Sequence, residues 1–225
     1  MQRVQSLQLG YVFTWSAQNI THCTTSTIHS QALILLLQVY RARSLLSSEL
    51  FTLRRISGEA KVAVPLNGNT LIALKLRQRL LWFANVVHDH IASTTSTLHA
   101  TMLTQMEAAE GIDSMSAHWK QYKRRLSVSL LLSEKLGPMR EAVDKILSTC
   151  ESFVQHWRRS LEQEEPSAIK NDANVGETYP AIMMREVNTS LSFIVAGLRG
   201  IGRAGGDVAL EALAESLDWI TAFPT

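Results

Sequence analysis

Between about position 26 and position 221, apolar residues recur in steps of three and four along successive stretches, and that periodicity favours packed helices over any other architecture. From about 26 to 54 the stripe is Ile28, Ala32, Leu35, Val39, Ala42, Leu46, Leu50 and Leu53, with Gln31, Gln38, Arg41 and Ser48 largely opposite. From 70 to 109 it is Ala73, Leu76, Leu80, Phe83, Val87 and Ile91, resuming at Leu98, Met102 and Met106. Met115, Trp119, Tyr122, Leu126 and Leu130 mark a helix over 113–133, and Met139, Val143, Ile146, Cys150, Phe153, Trp157 and Leu161 one over 138–164. Met183, Val187, Leu191, Ile194 and Leu198 mark 179–200, and Leu210, Leu213, Leu217 and Ile220 mark 207–221. A spacing of two occurs once, at Leu7, Leu9, Tyr11 and Phe13, which fits a short extended segment. The expected fold is all-α, a bundle of long antiparallel helices with a short extended N-terminal segment.

Punctuation divides the stripes. Pro65 and Asn67-Gly68 place a loop over 55–69, and Pro166 and Gly176 place a flexible one over 165–178. The hydroxyl-rich run Ser93-Thr-Thr-Ser-Thr97 predicts a bend or break, because short hydroxyl side chains compete for backbone hydrogen bonds. Gly111 is expected to stop one helix in a left-handed conformation and Asp113 to cap the next; Gly137-Pro138 opens another.

Composition narrows the function class. Of the 225 residues 46% are hydrophobic and 19% charged, which supports a buried core and excludes disorder. The 22 Lys and Arg nearly balance the 20 Asp and Glu, so no overall field steers the chain to nucleic acid or an anionic membrane. The densest apolar run, Ala32 to Leu37, is far shorter than the ~20 residues of a membrane helix. Cys23 and Cys150 are too few for a disulfide framework, and no apolar stretch follows Met1 as a secretory signal requires, so the compartment reads as cytosolic.

Residues that suggest chemistry lack its context. Gly200-Ile-Gly202-Arg-Ala-Gly205 matches the dinucleotide fingerprint, but the segment before it has helical spacing and no βαβ unit surrounds it. His88 and His90 are two apart and diverge on a helix, which makes them solvated polar-face residues rather than metal ligands. Cys150 lies on an apolar stripe and reads as a small hydrophobe. No catalytic, cofactor or metal site is expected. Lys120-Gln-Tyr-Lys-Arg-Arg125 is the one basic cluster, a solvated helix face or a site for an acidic partner or RNA. Trp82 lies on the helix wheel with Gln78, Asn85 and Asp89, so it either packs on a neighbouring helix or belongs to a contact surface.

Taken in order, several segments resemble the C-terminal, gamma-tubulin-binding domain of the gamma-tubulin complex component family. Leu7-Gln-Leu9-Gly-Tyr11-Val-Phe-Thr-Trp15 resembles the family's alternating lead-in, and Leu35-Leu-Leu-Gln38-Val-Tyr-Arg41-Ala the helix after it. Leu76-Arg77 with Leu81-Trp82-Phe83-Ala-Asn85 is similar to the next long helix. Gly111-Ile-Asp113-Ser-Met115, Tyr122, Leu126, Leu130-Leu-Leu132, Ile146-Leu147, Cys150 and Phe153 continue the order. The departures are Ser16 for a family Pro, Val86-Val-His-Asp-His90 for an Asn-Leu-Gln-Tyr-Tyr run, and Trp119 at a usual His position. They mark a divergent member, close in character to the fifth-component type of fungi.

The resemblance implies a non-enzymatic scaffold that binds gamma-tubulin and other components of the complex. It would support microtubule nucleation at a microtubule-organising centre or spindle pole body, in the cytoplasm and cytoskeleton, without cofactor, nucleic acid or membrane insertion. Solvent-facing residues of the long helices are the candidate contacts: Arg41, Arg77, Trp82, Asn85 and Arg124. Because family members are longer, residues 1–225 would be part of such a domain, from a fragment or a truncated gene, with apolar surface left open. The rival readings are a generic helical interaction module of another cytosolic complex and an oxidoreductase fragment using Gly200 to Gly205.

Overall fold

The computed structural model describes residues 27–60, 68–162, 178–203 and 207–221. Within them the chain forms helices α1 (Thr27–Ala60), α2 (Gly68–Glu107), α3 (Ile112–Ser129), α4 (Gly137–Glu162), α5 (Tyr179–Arg203) and α6 (Val208–Thr221). A single 3-10 turn, Glu134–Leu136, links α3 to α4. No strand occurs among the described residues; the expected extended segment at 7–13 lies outside them, as does the loop expected over 165–178 apart from Thr178.

Long-range contacts fix the directions. His90 meets Ser129 across α2 and α3, which are joined at their far ends by residues 108–111, so the two run antiparallel. Met139 lies against Gly197 and His156 against Tyr179, which runs α4 and α5 antiparallel. Arg199 reaches Asp218 and Gly202 faces Glu211, and α5 and α6 are therefore antiparallel as well.

Helix α2 is the centre of the bundle, since every other helix packs against it. Its buried set is the expected stripe, Ala73, Leu76, Leu80, Phe83, Val87 and Ile91, with Thr94 inside the same arc, Ala84 beside it and Arg77 on its shoulder. The core continues through Leu46, Leu126, Ile146, Leu191 and Leu210 on the surrounding helices.

Four local readings are corrected. Helix α2 passes through 93–97 without a break, because Ser93 Oγ donates to the His90 carbonyl and Thr94 is buried against the bundle. Tertiary packing there outweighs weak local preference. Helix α1 runs to Ala60, into the expected loop and through Gly58. Gly111 is the cap of α3 in extended conformation, and Asp113 stands inside the first turn.

The fourth correction is the end of α3. The helix stops at Ser129 rather than near 133, and no glycine stops it. Leu131, at φ 58°, takes the left-handed position that glycine usually fills. Its N–H donates to the Val128 carbonyl, and the Leu132 N–H to the Ser127 carbonyl at 2.8 Å, which closes a Schellman motif. Leu131 is also buried. Relief of left-handed strain is worth about 1 kcal/mol and loss of a buried leucine about 3 kcal/mol, so Leu131→Gly should lower stability by about 2 kcal/mol. Urea unfolding checks the sign; a stabilised variant would show that strain outweighs burial at this turn.

Candidate partner-binding surface

The candidate contact residues are not gathered into one patch. Arg41, on α1, makes a 2.6 Å ion pair with Glu151 of α4 and so ties two helices at the surface. Trp82 and Asn85 share one face of α2, both half-buried, with Trp82 packed on the core. Arg124 is exposed on α3.

Arg77 is not solvent-facing and is withdrawn as a contact. It is 5% exposed, and its Nε and Nη2 donate to the Leu46 carbonyl at 2.9 and 2.6 Å. The guanidinium fork therefore clasps α2 to α1. Its charge suggested exposure, but its position, four residues after Ala73 and three before Leu80, lies on the shoulder of the buried stripe.

Sequence reasoning also missed two clusters. At the first, Trp119 and Tyr122 of α3 stack at 5.5 Å, and His29 of α1 stacks on both, 5.8 and 6.0 Å away. The Lys123 ammonium stands 5.9 Å from the Trp119 ring centroid. Burial, and then the neighbouring Lys123 charge, hold His29 below its ordinary pKa, which favours the neutral ring inside the stack. The one-turn spacing of Trp119, Tyr122 and Lys123 was visible in the sequence; the arrival of His29 from α1 was not.

The second cluster joins α2, α3 and α6. His90 Nε2 lies 2.9 Å from the Ser129 carbonyl, and the Ser129 hydroxyl donates to the Asp207 carboxylate. Asp207 also accepts from the Ala209 N–H at 3.2 Å and is the side-chain cap of α6. His90 therefore turns inward rather than standing in solvent as expected. Burial pushes its pKa down, against the smaller opposing effects of the Ser129 carbonyl and the Asp207 charge. His88 instead pairs at the surface with Asp89, 3.0 Å away.

Asp207→Ala removes the α6 cap and leaves the buried Ser129 hydroxyl without its carboxylate. We expect a loss of about 2 kcal/mol, with faster amide exchange concentrated in α6. A change below about 0.5 kcal/mol would mean that the cap and the cross-helix bond contribute nothing net.

Two of the sequence features that suggested chemistry lie within helices. The Cys150 thiol is buried and its pKa is pushed up to about 12, so it is no nucleophile. Gly200 and Gly202 lie inside α5, which breaks the geometry a phosphate-binding turn needs. A cavity of about 20 Å³ beside His90, Ser129 and Arg140 has room for a water and little more. Among the described residues no cluster of His, Cys, Asp or Glu could hold a metal ion, and no helix is long and apolar enough to cross a membrane.

Residues 2–220 match the family described as gamma tubulin complex component C-terminal. Among curated proteins the chain is similar to gamma-tubulin complex component 5 of Mus musculus, 27% identical over 180 residues that cover 70% of this chain. It is likewise similar to gamma-tubulin complex component 5 of Macaca fascicularis, 26% identical over 179 residues and 70% of this chain. The chain spans only 17% and 24% of the lengths of these two relatives.

Proposed function

Because this chain belongs to the gamma-tubulin complex component family, we propose that it is a non-enzymatic scaffold of the gamma-tubulin complex, binding gamma-tubulin and other components. In this reading it supports microtubule nucleation at a microtubule-organising centre or spindle pole body. The observation that carries the proposal is the family match from residue 2 to residue 220, nearly the whole chain.

The physics of the bundle supports a scaffold. Its core is continuous around α2, and ionic and hydrogen-bonded clasps tie neighbouring helices together at Arg41–Glu151, Arg77–Leu46 and Arg199–Asp218. A rigid bundle presents outer helix faces in fixed geometry, which lowers the ordering cost of docking a large partner. Arg41, Trp82, Asn85 and Arg124 remain the proposed contacts, with Trp82 and Asn85 the pair that shares a face.

Capture of the tagged full chain from cells tests the proposal. Gamma-tubulin and other gamma-tubulin complex components should co-purify with it in stoichiometric amounts. Recovery of a folded chain with neither would reject it.

A further inference from the structure

Helix α3 carries one carboxylate, Asp113 in its first turn, and then four cations in six positions, Lys120, Lys123, Arg124 and Arg125. Lys120, Arg124 and Arg125 are exposed and Lys123 half-exposed. None of the four makes an ion pair with a described residue; Lys123 instead faces the Trp119 ring. Two exposed arginines elsewhere on the bundle are paired, Arg41 with Glu151 and Arg199 with Asp218, while Arg159 and Arg203, which pair with no described residue, stand singly rather than in a run. The run on α3 is thus a local excess of positive charge on a chain whose formal net charge is only +2. Such an excess costs self-repulsion within the helix, and a partner of opposite charge removes that cost.

The side chains are also held in register. Tyr122 and Leu126 are buried in the core, and Trp119 stacks on His29 and Tyr122, which sets the face that α3 turns to the bundle. Lys120 and Arg124 stand one turn apart, with Lys123 beside them. Side chains so spaced are neighbours on the helix surface, and cations held together in this way can make charge-assisted hydrogen bonds to the carboxylates of one acidic segment.

Two other classes of partner fit less well. Single-stranded nucleic acid needs open aromatic faces for its bases, and the Trp119 ring already stacks on His29 and Tyr122 with Lys123 above it. A membrane-surface helix needs an apolar face free to enter lipid, and that face of α3 is packed in the bundle.

We propose that the basic face of α3 formed by Lys120, Lys123 and Arg124, with Arg125 flanking it, is a docking site for an acidic polypeptide segment of a partner protein. The proposal stands on α3 alone and holds whether or not that segment belongs to gamma-tubulin.

The test uses the full chain and fluorescent decaglutamate at low ionic strength, without gamma-tubulin. Binding should be saturable, weaken with added salt, and fall about tenfold in the double variant Lys120→Glu/Arg124→Glu. The control Lys145→Glu/Arg203→Glu makes the same change in net charge on α4 and α5 and should bind like the wild type. Circular dichroism confirms that both variants stay helical. Equal losses in the two variants would reduce the effect to net charge and overturn the proposal. It would equally be overturned if single-stranded RNA of matched charge, or vesicles containing anionic lipid, bound more tightly than the peptide.

Discussion

Phe83→Ala is expected to lower the unfolding free energy by about 3–5 kcal/mol, the largest effect of any single truncation in the bundle. Phe83 is 0% exposed and heads the largest fully buried side chains. It sits on α2, the helix against which all the others pack, so the surrounding chain has little freedom to collapse into the vacated space. Against the 5–15 kcal/mol by which ordinary domains are stable, a loss of about 4 kcal/mol leaves a marginal fold. Leu80→Ala and Ile146→Ala, both at fully buried positions, should each cost about 2–5 kcal/mol by the same argument. Denaturant unfolding monitored by helical signal measures all three. Losses below about 1 kcal/mol at every position would mean that the helices face the wrong way.

The second large effect is expected at Arg77, where Arg77→Ala should cost about 3 kcal/mol. The change removes both hydrogen bonds to the Leu46 carbonyl and leaves a cavity between α1 and α2. Two further variants separate clasp from packing. Arg77→Met keeps most of the volume and withdraws the buried charge altogether, so it should cost clearly less than alanine. Arg77→Lys keeps the charge but not the planar fork that reaches one carbonyl with two donors, and should fall near alanine. Lysine as stable as arginine would show that charge alone holds this junction.

The phase of each helix was legible because burial on one side imposes a period that the apolar residues must follow. Leu76, Leu80, Phe83, Val87 and Ile91 are all buried on α2 as their spacing predicts, and so are Met183, Val187, Leu191, Ile194 and Leu198 on α5. What the period cannot reveal is which charged residue at the edge of a stripe is drawn inside. Arg77 looked like a surface cation because it is charged, yet it flanks the stripe and is buried with two donors on the Leu46 carbonyl.

Helix ends were less legible for a related reason. The stop at Leu130 to Leu132 has no glycine to announce it, and a buried leucine in left-handed conformation is set by the surrounding core. His90 looked solvated because its partners lie far along the chain, Ser129 at 39 positions and Asp207 beyond it. The basic run on α3 was visible, but its immobilisation on the His29–Trp119–Tyr122 stack required the fold. Family membership was readable because many weak segments occur in the right order, a signal no single motif carries.

Purified full chain mixed with purified gamma-tubulin and resolved by size exclusion with light scattering tests the proposed binding. One co-eluting species with the summed mass of the two proteins is expected, with reduced co-elution when Trp82 and Asn85 are both replaced by Ala in a chain that remains helical. Gamma-tubulin eluting at its own position at every ratio, beside a folded chain, would rule out direct binding.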